Sequence, residues 1–358
     1  MAVGARTELD MDKLHAFIHQ FVGDLGATVH AGMVVIGEKL GLYKALAAGG
    51  PMTAAELAKK TGTDERYVRE WLSSQAAGGY VGYDAASERF SLSLEQALVL
   101  ASDDGPAYIP GAFELALGSL AAVPRIAESF RTGAGMGWNE HDEAVFHGCE
   151  KFFRPGYAMN LMSAWIPALD GVQAKLETGA KVADVGCGQG ASTRLMAKAF
   201  PRSKFFGFDY HAGSLATAQE SAGRGGVTDR VKFEAYSAKE FPGTNYDLVT
   251  MFDCLHDMGD PVGAAQHIRK SLASDGTWMI VEPFAGNTLS DNLTPVGRVY
   301  YGFSTLVCTP CSRSQEVAAC LGAQAGEARI REVTRAGGFG RFRRAAETPF
   351  NIVYEARP

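Results

Sequence analysis

The sequence predicts an α/β protein: a doubly wound, mostly parallel sheet ending in an antiparallel hairpin, with a helical winged-helix region in front. Three observations carry this expectation. Up to about residue 175 the apolar residues recur at helical spacing, whereas from Lys181 onward strand-like runs alternate with helical ones. The alternation starts at "KVADVGCGQGAS" (Lys181–Ser192), where an apolar strand runs into Gly186, Gly188 and Gly190. The chain closes on "EARIREVTRAGGFGRFRRAAETPFNIVYEARP" (Glu327–Pro358), a helix and two strands with no helix between them.

The elements follow in chain order. A chain of 358 residues, 46% of them apolar, has room for two domains. Leu14–Leu46 is helical in period, with its glycines read as breaks. Thr53–Gly62 reads as a short helix, with Thr53 and Glu56 forming a capping box and Gly62 closing it. Asp64 caps a further helix that stops at Gly78-Gly79, and Tyr80–Ser93 reads as two short strands around a polar turn. Three helices and a β-ribbon make a winged helix-turn-helix. Charge argues against DNA as its partner. Between Ala31 and Leu100 there are seven bases and eight acids, and the would-be recognition helix opens on Asp64-Glu65. The apolar Leu14–Leu46 stretch instead suits dimerisation, since its surface needs a partner.

Residues 111–175 read as a helical connector. "EKFFRPGYAMNLMSAWIPAL" within it is rich in aromatic residues, which serve either as core or as the roof of a small-molecule pocket. Strands are then expected at Val182–Val185, Lys204–Phe208, Val231–Ala235, Leu248–Phe252 and Thr277–Val281. Helices fall between them around Ser192–Ala199, Gly213–Ser221 and Val262–Leu272.

The glycine turn has spacing G-x-G-x-G, not the G-x-G-x-x-G of a dinucleotide site. Asp184 just before it would repel a phosphate but suit an ammonium or sulfonium. Asp209 ends the next strand 19 residues after Gly190, where a carboxylate accepts the hydroxyls of a ribose. Together these point to S-adenosylmethionine.

On these motifs the region from about Lys175 resembles a class I S-adenosylmethionine-dependent methyltransferase. With its winged-helix front end, the whole chain resembles bacterial relatives of the caffeate/acetylserotonin O-methyltransferase group. The resemblance implies a Rossmann-like seven-stranded sheet, and three regions: 1–110 for dimerisation, 111–175 as connector and pocket lid, and 176–358 for the cofactor. It assigns the cofactor to Asp184, Gly186, Cys187, Gly188, Gly190, Asp209, Tyr210, Ser237, Ala238 and Phe252. Ser237-Ala238 stands where the family commonly has an acid and an apolar residue facing the adenine. In "MFDCLHDMGDP" it implies His256 as general base beside Asp257, with Glu282 orienting the imidazole; Met258 replaces the family's Trp. Phe153, Tyr157, Asn160, Trp165, Tyr300 and Phe303 are expected to line the substrate pocket.

The expected activity is therefore O-methylation of a small molecule, yielding S-adenosylhomocysteine. Methylation of a thiol or an amine stays open, as does a transcriptional regulator that binds the cofactor without turnover. The resemblance implies a homodimer whose front end helps close the pocket. "CTPC" (Cys308–Cys311) has metal-like spacing, but a zinc site needs a fourth ligand and no histidine follows His267, so no metal is expected. The run Arg341, Arg343, Arg344 reads as a solvated strand face. Net charge is −6, and no apolar run of membrane-spanning length and no leader in Met1–Lys13 is seen. Six cysteines suit reduced cytosolic thiols, so a soluble cytoplasmic protein is expected, without nucleic-acid or membrane partners.

Overall fold

A computed structural model describes residues 9–103 and 105–358; the expectation of no leader therefore falls largely on residues outside the described ones. The chain forms two compact units, Met1–Glu114 and Leu115–Pro358. In the first, Asp10 caps the 29-residue helix α1 (Met11–Lys39) by accepting from the amides of Asp12 and Lys13. The helix runs unbroken through Gly23, Gly26, Gly32 and Gly37, correcting the expectation of breaks at these four, while Gly41 is a break as expected. An interior glycine costs only about 1 kcal/mol against alanine, and Gly37 repays that locally. A Cβ there would sit 2.5 Å from the Trp71 ring, so the missing side chain lets Trp71 and Tyr43 close on the helix. The chain turns at Gly41, whose φ of 66° is left-handed.

Helices α2 (Leu42–Gly49), α3 (Ala54–Thr61) and α4 (Glu65–Ala77) follow, then strands β1 (Gly82–Asp84) and β2 (Arg89–Ser91) and helix α5 (Leu94–Leu100). The Thr53–Glu56 capping box and the left-handed Gly62 at the end of α3 are present as the sequence implied. Leu46, Leu57, Leu72 and Trp71 form the core of this unit, and the buried Tyr43 hydroxyl donates to Gln75 at 2.6 Å. The β1–β2 ribbon is the wing.

Helix α6 (Gly111–Ala121) crosses the division between units. From Leu115 onward the expected connector belongs to the second unit, as α7 (Val123–Thr132), α8 (Glu143–Asn160), a π-helical turn at Leu161–Trp165 and α9 (Val172–Thr178). Then come β3 (Lys181–Val185), α10 (Ala191–Ala199), β4 (Lys204–Asp209), α11 (Ala212–Gly225), β5 (Val231–Ala235), β6 (Tyr246–Phe252), α12 (Pro261–Ser271) and β7 (Leu272–Pro283). The chain ends with α13 (Pro295–Phe303), α14 (Thr309–Arg313), α15 (Gly326–Ala336), β8 (Arg341–Glu347) and β9 (Asn351–Arg357).

The seven-stranded sheet has the order β5-β4-β3-β6-β7-β9-β8. All pairs are parallel except β7–β9 and β9–β8, so the final strand fills the gap beside β7 and the one before it takes the edge. Winding reverses between β3 and β6, which opens a crevice beyond their carboxyl ends. The middle strands are buried on both faces: Val182, Leu248, Val249, Trp278 and Met279 have no exposure. The edge strand β8 is not simply a solvated face. Arg343 pairs with Asp170 at 3.0 Å and, with Arg357, satisfies the buried Glu355. Among the described residues, no helix is long and apolar enough to cross a membrane.

Candidate active site

A cleft occupies the crevice at the strand reversal, walled by the β3–α10 turn, the ends of β4 and β6, and α8. The turn is left-handed at all three glycines, with φ of 73°, 51° and 72° at Gly186, Gly188 and Gly190. Only glycine adopts such a run without strain. A Cβ on Gly186 would lie 2.6 Å from the Cys254 sulfur, so that glycine also permits the turn to sit close to the end of β6. The Gly186 and Cys187 amides donate to the Phe208 carbonyl, which ties the turn to β4.

Asp209 lies on the cleft wall at the end of β4. One carboxylate oxygen accepts from the Gly188 amide and the other from the His211 amide, both at 2.9 Å. Burial raises its pKa, and these backbone donors work against that rise. Two amides leave lone pairs free, which is the donor-seeking edge that a vicinal diol needs. Gly186, Cys187, Gly188, Tyr210, Ser237, Ala238 and Phe252 line the same cleft.

Asp184 does not, and the expectation that it faces the cofactor's charge is corrected. It is 1% exposed and accepts three hydroxyl hydrogen bonds: from Ser192 at 2.7 Å, Thr193 at 2.5 Å and Thr250 at 2.9 Å. It fastens the start of α10 to β3 and β6, and so holds the turn. Gly190 is likewise off the cleft wall; a Cβ there would meet the Phe233 ring at 2.6 Å, so its role is close packing.

The expected general base is enclosed by carboxylates. His256 is 4% exposed and is not on the cleft wall. Its Nδ1 lies 2.6 Å from Glu282, itself 4% exposed, and its Nε2 lies 3.2 Å from Asp257. Burial alone would depress the imidazole, but Glu282 and Asp257 outweigh it and hold it well above its ordinary value. Both ring nitrogens thus face carboxylates. Asp257 does line the cleft.

The acid that sequence reasoning passed over is Asp253, one residue beyond Phe252 and on the cleft wall. It holds a left-handed φ of 50°, uncommon for a residue with a Cβ and of the kind that gathers at functional sites. Its oxygens accept from the Tyr157 hydroxyl at 2.9 Å and the Asn351 amide at 2.8 Å. Burial, reinforced by the nearby Glu282 carboxylate, pushes it up to about 7. The strand-end rule that selected His256 reaches Asp253 three residues earlier.

Of the expected pocket residues, Phe153 and Tyr157 line the cleft. Trp165 is 1% exposed and packs beneath Phe252 at a ring separation of 6.5 Å. Asn160 spends its amide on the Gly156 carbonyl, Tyr300 is buried with its hydroxyl donating to the Phe350 carbonyl, and neither they nor Phe303 reach the wall. Helical spacing marks an apolar face without saying what it faces. Trp138, Phe146, Cys149 and Glu150, from the connector, line the cleft unpredicted. Cys308 does find a histidine, but upstream: the polar atoms of His256, Asp257 and Cys308 lie within 4.8 Å of one another. Their contacts are the ion pairs of His256 with Asp257 and Glu282 and a hydrogen bond between Cys308 and Asp257.

With this geometry established, comparison with known proteins is informative. Residues 176–335 match a family described as "Methyltransferase domain", and residues 28–102 a "Rv2258c-like winged HTH domain". The chain is 31% identical to a ubiquinone biosynthesis O-methyltransferase of Paraburkholderia xenovorans, over 50% of this chain and 71% of that protein. It is 34% identical to an uncharacterized Synechococcus protein over 27% of this chain, and spans only 24% of that protein's length. In fold it is similar to human N-acetylserotonin methyltransferase solved with its cofactor, at a TM-score of 0.72 and 15% identity, covering 100% of this chain and 99% of that one. The methyltransferase-domain match and the 31%-identical O-methyltransferase, most of whose length is covered, show the family: the chain belongs to the S-adenosylmethionine-dependent methyltransferases.

Proposed function

We propose that the protein transfers a methyl group from S-adenosylmethionine to a hydroxyl oxygen of a small molecule. The observation that carries this reading is the sharing of one cleft by the glycine turn, the Asp209 carboxylate and the tuned Asp253 carboxyl. The residues present fit the cofactor: Asp209 has acceptor capacity for ribose hydroxyls, the glycine turn gives close backbone approach, and Tyr210, Ala238 and Phe252 supply apolar surface for a base. When bound, S-adenosylmethionine supplies a methyl group on a sulfonium and leaves as S-adenosylhomocysteine.

The chain's own part is to orient the acceptor and take its proton. Alignment of two reactants can contribute more than proton removal, up to about 7–11 kcal/mol. Aromatic surface at Trp138, Phe146, Phe153 and Tyr157 suits a flat, largely apolar acceptor. Asp253 is assigned the proton, because a carboxyl near pH 7 balances availability against driving force. The Tyr157 hydroxyl and Asn351 amide hold that carboxyl in place, and His256 with Glu282 stands behind it as a charged, buried support.

A homodimer is part of this proposal. Along α1, Phe17, Phe21, Leu25 and Val29 recur every four residues and are 64%, 59%, 54% and 62% exposed in the single chain. Such a stripe is the signature of a helix that buries against a partner. The six free cysteines suit a reducing compartment.

The test is calorimetric titration with S-adenosylmethionine and S-adenosylhomocysteine, followed by a screen for S-adenosylhomocysteine release over phenols, alcohols, thiols and amines. Binding lost in Asp209→Ala together with turnover on hydroxyl acceptors supports the reading. Turnover confined to thiols or amines would replace the acceptor class, and binding without any turnover would favour a regulator.

A further inference from the structure

One sign of charge dominates the cleft wall. Glu150, Asp209, Asp253, Asp257, Asp260 and Glu316 line it, while among the described residues on the wall Lys239 is the only lysine or arginine. That ammonium is already engaged, by Asp260 at 3.3 Å and by Glu316. We propose that the cleft selects its acceptor by charge, favouring a hydroxylated aromatic molecule that carries a protonated amine and rejecting one that carries a carboxylate; the acceptor class rests on the methyl-transfer reading above.

Cations behind the wall do not cancel the excess. Arg154 and Arg194 reach Glu150 at 3.2 and 3.4 Å, and His256 stands between Asp257 and Glu282. With Glu282 included, seven carboxylates face the four cations Lys239, Arg154, Arg194 and His256, which leaves three negative charges. Protonation of Asp253 still leaves two. S-adenosylmethionine brings a single net positive charge, so the cleft stays negative when the cofactor is bound. The protein's own groups feel this field. Burial depresses an imidazole, yet His256 is held well above its ordinary value because Glu282 and Asp257 outweigh the burial. Burial raises Asp253, and Glu282 adds to the rise.

Helix α8 offers the place for the amine. Phe146, Glu150, Phe153 and Tyr157 recur at spacings of four, three and four, so they share one helix face, and all four are on the cleft wall. Glu150 therefore sits one turn from Phe146, whose ring lies 5.3 Å from that of Trp138. A carboxylate beside aromatic rings suits an ammonium, because the ring faces attract the cation and the carboxylate accepts its hydrogen bonds. An acceptor carboxylate would meet like charge there, with the two nearby guanidiniums already given to Glu150.

The test is calorimetry of the full chain loaded with S-adenosylhomocysteine, titrated at neutral pH with three phenols of one shape: tyramine, the neutral tyrosol and para-hydroxyphenylacetate. Tyramine is expected to bind about 3–10-fold tighter than tyrosol, and the carboxylate about 10–100-fold more weakly. Glu150→Gln takes a negative charge from beside Arg154 and Arg194 and should narrow both gaps. The proposal is overturned by a carboxylate that binds as well as tyrosol, by tyramine that binds no tighter than tyrosol, or by gaps that Glu150→Gln leaves unchanged. Binding of none of the three is likewise a lack of discrimination and overturns it. The loading step reads the cofactor site by itself: no S-adenosylhomocysteine binding would count against the methyltransferase reading, whereas loading without charge discrimination counts against the acceptor class alone.

Discussion

Replacing Asp253 by asparagine should make the protein more stable at neutral pH while removing most of its activity. The carboxyl moves from an unfolded value of 3.8 to about 7 in the folded chain. A raised folded pKa means that the stability tied to this group is complete below the unfolded value and is lost as pH climbs through about 7. Three units at 1.36 kcal/mol each give a total loss of about 4 kcal/mol, of which about 2–3 kcal/mol falls between pH 5 and pH 8. Asparagine carries no charge at any pH and escapes that loss. It also tolerates the left-handed φ of 50° at this position, where asparagine is among the few residues that settle readily. Urea unfolding of both proteins at pH 5 and pH 8 measures the stability half, with the wild type expected to weaken between the two by about 2–3 kcal/mol more than the variant. The catalytic half uses an acceptor found by the release screen. The wild-type rate should rise through an apparent pKa of about 7, and the variant should lose that limb and about 10²–10⁴ in rate. The flanking charges are Glu282, Asp257 and His256, so a limb that survives the substitution would belong to one of them. Unchanged turnover, or a stability difference that ignores pH, would refute the assignment.

Two further outcomes follow from the packing. Thr193→Val removes one of three hydroxyls from the buried Asp184 carboxylate and should cost about 1–3 kcal/mol in urea unfolding; a loss below about 0.5 kcal/mol would show that Asp184 is not the fastening of the turn. Phe21→Glu with Leu25→Glu places two charges in the exposed stripe of α1 and should convert a dimer to a monomer by light scattering. A dimer unmoved by both charges would place the interface elsewhere.

Much of the fold was legible in the sequence because it is written locally. The Thr53–Glu56 capping box, the left-handed Gly62 and the Asp64 cap are set by contacts within four residues, and all three appear where the spacing put them. The three glycines announced a turn, which the structure shows to be left-handed, and the strand–helix alternation announced a parallel sheet, since a crossover between parallel strands needs a helix's length of chain. Asp209 was legible for the same reason: a strand end and a turn fix each other at short range.

Direction was not legible. Asp184 and Asp209 both sit at strand carboxyl ends, yet one is enclosed by Ser192, Thr193 and Thr250 and the other faces the cleft. Only the packing of α10 over β3 and β6 decides between them. Likewise His256, Asp257 and Cys308 are brought together across some fifty residues, a contact that spacing along the chain does not announce. Sequence by itself determined which residues could carry charge, turn the chain or enter a core. Tertiary structure decided which carboxylates are satisfied internally and which remain open to a ligand, because burial and hydrogen-bond partners belong to the space around a side chain and not to its place in the chain.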